Sequence, residues 1–71
     1  MAYQFDTKRL AADVNKAFKS SNYTKWKHLA EDLGLHEMTL WRIRNGHTVR
    51  GPSMLIICGW LGKPVRDYVQ K

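Results

Sequence analysis

Leu10, Val14 and Phe18 stand at i, i+4 and i+8, with Ala11 and Ala17 beside them. This is the stripe of an amphipathic helix over roughly Thr7 to Lys19. Asp6, just before the stripe, is a residue type that accepts the orphan N–H groups of a first turn. Ser20 to Tyr23 is polar and reads as a connection. A second stripe, Trp26, Leu29, Ala30 and Leu33, predicts a helix that opens after Thr24 as its cap. Gly34 ends it, since glycine takes the left-handed conformation at a helix stop without a steric penalty. Leu35 follows as the apolar residue of the turn. The third helix runs from His36 to about Asn45, with Leu40 and Ile43 inward, and Asn45-Gly46 stops it.

A loop from His47 to Pro52 carries Arg50 between two glycines. Ser53 to Leu61 is apolar on nearly every side, the pattern of a buried central helix with Trp60 in the core. Gly62 and Pro64 then set off a short last helix through Tyr68, with Pro64 at its first position and Tyr68 packing near Trp60. Five short helices and no strand pattern make an all-α fold.

Length and composition sharpen this reading. A chain of 71 residues forms one domain, residues 1–71, with one small core. It is 44% hydrophobic and 25% charged, ordinary values for a folded domain. One cysteine makes no internal disulfide and no zinc site, and Cys58 lies in an apolar run as a small core residue. His28, His36 and His47 fall on different elements without metal-ligand spacing, so no metal or other cofactor is expected. No apolar stretch approaches the length of a membrane span, and the first residues lack the pattern of a leader. A cytoplasmic protein that does not engage membranes is expected.

Charge changes the picture more. Twelve Lys and Arg against six Asp and Glu give +6, and the pI is near 9.8. Between Glu37 and Asp67 there is no carboxylate, while Arg42, Arg44, Arg50, Lys63 and Arg66 fall in that interval. Clustered Arg on so basic a domain is the electrostatic footprint of nucleic-acid binding. No nucleophile, base and orienting carboxylate share a plausible site, so an enzyme is not expected, nor is a small-molecule ligand.

The informative stretch is Trp26 to Gly46, WKHLAEDLGLHEMTLWRIRNG. It reads as two helices across a glycine turn, with small Ala30 where the second helix must cross closely. That is a helix-turn-helix over residues 26–45, whose second helix projects into a major groove. Here the chain resembles the Cro/repressor-type (XRE, lambda-repressor-like) helix-turn-helix proteins of phages and bacteria. Ala30, Gly34, Leu40, Ile43 and Gly46 all fall at the family's spacing. The resemblance extends from about Leu10 to Tyr68, through the Arg-Asn-Gly ending, the loop His47-Thr48-Val49-Arg50 and the late Trp60-Leu61-Gly62.

That resemblance implies a compact five-helix domain with a short N-terminal arm, residues 1–5, and roles for particular residues. The first recognition-helix positions fall on Glu37 and Met38, and the deeper base-reading position on Arg42, with Trp41 on the same outward side. The phosphate-holding positions fall on Lys25 and Trp26, on Asn45, and on the loop through His47, Thr48 and Arg50. Where many members carry an acidic residue this chain has Arg44, free to approach a phosphate. Members often carry Gln at the places of Trp26, Glu37 and Met38, so no operator sequence is implied.

Elementary chemistry agrees in kind. Arg42 is able to pair bidentately with guanine, Glu37 accepts from the cytosine amino group, and Met38 or Thr39 suits a thymine methyl. Several residues admit two readings. Trp26 is a core cover or a phosphate contact; Trp41 touches the groove or a protein surface; Glu37 reads a base or simply suits the positive end of a helix. The leading expectation is a sequence-specific double-stranded DNA-binding transcription regulator that occludes a promoter. It would dimerise through residues 64–71 or through the N-terminal arm with Tyr3 and Phe5. An architectural or excision-type DNA-bending protein, and a protein-interaction module such as an antitoxin or antirepressor, are the alternatives.

Overall fold

The computed structural model describes residues 4–70. The architecture is all-helical, with four α-helices among the described residues: α1 (Thr7–Ser20), α2 (Trp26–Leu33), α3 (Glu37–Arg44) and α4 (Gly51–Leu61). The expected fifth helix is instead a single 3-10 turn, Val65–Tyr68, with Pro64 as its cap and not as its first helical residue. The chain ends meet in a pairing that no sequence pattern announced. β1 (Gln4–Phe5) runs antiparallel to β2 (Val69–Gln70), with Phe5 opposite Val69. Gln4 and Phe5 of the expected arm are therefore tied down, and Tyr3 lies outside the described residues.

Helix α1 begins as its sequence predicts. The Asp6 carboxylate accepts the Arg9 backbone N–H at 3.0 Å, while the Asp6 N–H donates to the Tyr68 carbonyl at 2.6 Å. One residue thus starts the first helix and fastens it to the end of the chain. Helix α2 has no such cap. Lys25 occupies the cap position without a side-chain bond, so Thr24 does not serve there.

The turns after α2 and α3 share one device. Gly34 (φ +71°) and Gly46 (φ +80°) adopt left-handed backbone that a Cβ would strain. The N–H groups of Leu35 and His47 return to the carbonyls of Ala30 and Arg42, both at 2.8 Å. The Gly34 and Gly46 N–H groups donate in the same way to the carbonyls of Glu31 and Ile43, and this double bonding satisfies carbonyls that a helix end leaves orphaned and fixes the exit direction of the chain.

Leu10, Val14, Leu29, Ala30, Leu40, Ile43, Met54, Ile57, Cys58 and Tyr68 form the core. Each helix contributes one stripe, so α1 serves as the platform on which α3 and α4 pack. Tyr68 is wholly buried, and its hydroxyl donates to Asp13 on α1 at 2.7 Å. Lys63 approaches the same carboxylate oxygen at 3.3 Å. The Tyr68 hydroxyl holds the Asp13 carboxyl below its usual range against the opposing effect of burial, and Lys63 adds to it.

Helix α4 departs from expectation. It starts two residues early, at Gly51 with Pro52 in its first turn, and it is not buried all round. Met54, Ile57 and Cys58 face inward, but Leu55 is 66% exposed and Ile56 37%. Trp60, expected in the core, is half-buried against its edge.

Candidate nucleic-acid interface

Eight residues, Glu37 to Arg44, make α3. Leu40 and Ile43 turn inward, which leaves Glu37 and Trp41 on one outer row, and Met38 and Arg42 on the next. All four are exposed, with Met38 at 56% and Trp41 at 44%, whereas Thr39 is half-buried. His36 starts the helix by accepting the Met38 N–H on Nδ1 at 3.1 Å. That bond turns the ring back onto its own chain, and Glu37 beside it suits the positive end of the helix.

At the other end, Asn45 donates from Nδ2 to the Trp41 carbonyl at 2.7 Å. One of its two amide hydrogens is thereby committed to capping. His47 comes back over α3 and stacks on Trp41, with ring centroids 5.5 Å apart and planes 15° from parallel. Trp41, Arg42, His47 and Thr48 together line a shallow hollow of about 400 Å³. Four residues expected at the interface are thus gathered by one stacked pair.

A second hollow, about 420 Å³, opens between the first turn of α2 and the outer face of α3. Trp26, Lys27, Glu37, Met38, Trp41 and Arg44 line it, so Trp41 is the wall common to both. Its lining is mostly apolar, from Trp26, Met38 and Trp41, with the cations Lys27 and Arg44 and the carboxylate of Glu37. The sequence does not single out Lys27; the resemblance points to Lys25 and Trp26 at the start of this helix. Lys25 is exposed at the cap of α2. The available signal for Lys27 was its place one residue after Trp26.

Trp26 resolves as a core cover. Its ring lies 3.9 Å from that of Phe18 with planes 11° apart, a close stack that seals the end of α1. The same indole carries the Arg44 guanidinium, whose central carbon is 4.9 Å from the ring centroid. Arg44 is therefore half-buried and not free as expected, and its Nε is buried with no hydrogen-bond partner. Its backbone carbonyl accepts from Asn15 Nδ2 at 3.1 Å, which ties the end of α3 to α1. The pairing of Arg44 with Trp26 holds α2 against α3 through a cation–π contact.

Arg50 is exposed at the cap of α4 and bonds to no helix N–H through its side chain. Of the residues that line the two hollows, Lys27, Arg42 and Arg44 are cations and Glu37 is a carboxylate. Among the described residues no three His, Cys, Asp or Glu side chains converge as a metal site would require, and no helix is long and apolar enough to cross a membrane. Cys58 is buried, and burial pushes its thiol up, away from the thiolate form that reacts.

Comparison with protein-family models, with curated proteins and with solved structures finds no match to this chain.

Proposed function

We propose that the protein is a sequence-specific double-stranded DNA-binding transcription regulator of the Cro/repressor helix-turn-helix kind. In this reading α2 and α3 are the helix-turn-helix, and the first turns of α3 enter the major groove. The observation that carries it is the outer face of α3. A helix anchored by Leu40 and Ile43 holds Glu37, Met38, Trp41 and Arg42 outward together, amid cations.

The chemistry then divides by residue. Arg42 donates its fork to guanine O6 and N7, a pair worth about 1–3 kcal/mol of discrimination. Glu37 only accepts, so it selects the cytosine amino group and repels phosphate wherever it misses. Met38 packs on a thymine methyl, while Thr39, half-buried, reaches less far. Lys25, Lys27, Arg50 and the loop residues His47 and Thr48 hold phosphates, which sets register without reading sequence. Asn45 contributes its remaining amide hydrogen. Trp26 acts from beneath by fixing Arg44 at the rim. Bound over a promoter, such a domain regulates by excluding polymerase.

Selection of bound duplexes from a random pool tests this reading. A defined consensus that Arg42→Ala relaxes at one base pair is the expected result. Binding indifferent to sequence with a steep salt dependence would replace it with an architectural role. One observation favours a second reading, a protein-interaction module. Met38 and Trp41 are exposed residues of types enriched at the centres of protein interfaces. Failure to bind any duplex at low salt would decide for that reading.

A further inference from the structure

Trp41 is exposed, whereas Trp26 and Trp60 are half-buried. Its indole stacks on His47 with planes 15° from parallel, and it is the wall shared by the two hollows beside α3. His47 lines only the smaller hollow, so the larger meets the indole away from the stacked ring. There Trp26 and Met38 add apolar surface, and Lys27 and Arg44 add positive charge. Arg42 brings charge to the smaller hollow, beside Thr48. An aromatic plane fixed by a second ring thus has cations in both hollows that border it.

Paired bases do not use such a plane. In a duplex each base is covered by its neighbours in the stack, and only its edge is presented in a groove. The openness of the larger hollow narrows the ligand further. Small-molecule sites enclose most of their ligand, whereas Lys27, Glu37, Met38 and Trp41 are all exposed here. A hollow of about 420 Å³, open in this way, covers one face of a flat group and leaves the rest of a longer ligand outside.

We propose that Trp41 is a stacking platform for an unpaired base, through which α3 and the His47 loop bind single-stranded DNA. The base lies in the larger hollow against the indole, with Met38 and Trp26 beside it. Phosphates of the strand meet Lys27 and Arg44 in that hollow and Arg42 in the other. The Arg44 guanidinium is already placed for this, held on Trp26 with its Nε lacking a partner in the protein. Glu37 keeps phosphates away from the base side of the hollow. Positive charge beside aromatic planes is the means by which proteins hold single strands, and every base offers a π-face, so the binding is tolerant of sequence. This activity goes beyond duplex recognition and does not rest on it, although shared residues make the two ligands compete.

Anisotropy of a labelled thymidine oligonucleotide, which forms no duplex, tests the proposal against an abasic strand of equal length and charge. The expected result is tighter binding of the thymidine strand, weakening as salt rises. Trp41→Ala should weaken that binding about 10-fold and leave the abasic strand's affinity unchanged. Trp41→Phe keeps an aromatic ring and should retain most of the affinity, which reads the platform even if the alanine variant loses its fold. Equal affinity for the two strands, or binding of neither, overturns the proposal. So does a Trp41→Ala variant that binds the thymidine strand as the wild type does or weakens both strands alike. A chain that stacks thymidine strands and selects no duplex consensus keeps this proposal and loses the duplex reading; the reverse result does the opposite.

Discussion

Helices α3 and α4 each leave two large apolar side chains in water, Met38 and Trp41 on one, Leu55 and Ile56 on the other. Their surroundings differ. On α3 the apolar pair sits among Glu37, Arg42, Arg44, Lys27 and His47, and the ring of Trp41 is held by a stack. On α4 no charged residue falls between Gly51 and Gly62. Exposure of a hydrophobe alone does not mark a surface for use, and it is the neighbouring charges that separate these two. Mixed charge with donors and acceptors suits a ligand that is itself patterned, such as base edges.

The contrast between inner and outer faces within each helix carries the largest expected effects. Ile43→Ala and Ile57→Ala should each lower the unfolding free energy by about 2–5 kcal/mol, as truncation of buried aliphatic residues does. Met38→Ala and Leu55→Ala should stay within about 0.5 kcal/mol. Urea denaturation of the four variants checks this. A costly Leu55→Ala would mean that its side of α4 is covered, and the comparison would break.

DNA binding sharpens the α3 side next. Arg42→Ala should cost about 1–3 kcal/mol at one base pair of a selected site and relax preference there. Arg50→Ala should weaken every duplex alike and reduce the salt slope by about 1. Competition binding at several salt concentrations separates the two.

A smaller effect lies behind both helices, where Tyr68 bonds Asp13. Tyr68→Phe should cost about 1 kcal/mol, since the partly exposed carboxylate regains water when it loses the donor. Because the folded state lowers the Asp13 pKa, its contribution is complete above the unfolded value and fades as pH falls below about 4. Tyr68 is shifted upward, chiefly by burial. Its contribution is complete below the unfolded value and is lost as pH rises above about 10. Stability measured against pH should therefore fall at both ends, and Tyr68→Phe should flatten both limbs. Smallest of all, Lys63→Met should change stability by less than about 1 kcal/mol at neutral pH, because the ion pair is half-exposed.

Several features were legible because a single residue type decides them. Asp6 starts α1, Gly34 and Gly46 stop α2 and α3, and the inward spacing of Leu40 with Ile43 orients α3. The reading of α4 failed for a reason of size. A helix apolar all round is buried only where other elements cover it, and among the described residues Leu55 and Ile56 on α4 stay exposed. The Val65–Tyr68 turn and the two-residue strand pair are shorter than any period that a pattern can reveal. Arg44 on Trp26 joins two helices across space, and neither residue carries a local sign of the other. At the candidate site, the resemblance implied the places of Glu37, Met38 and Arg42, with Trp41 on the same outward side, while the stack of Trp41 on His47 carries no local sign in the sequence.

The central claim is that the outer side chains of α3 touch nucleotide edges, and amide and indole resonances during titration with a selected duplex test it most directly. The account predicts the largest shifts at Glu37, Met38, Arg42 and the Trp41 indole N–H, smaller ones at Lys25 and Arg50, and none that are specific to sequence on α1. Shifts concentrated on another element, with those four positions unmoved while the duplex is bound, would contradict it.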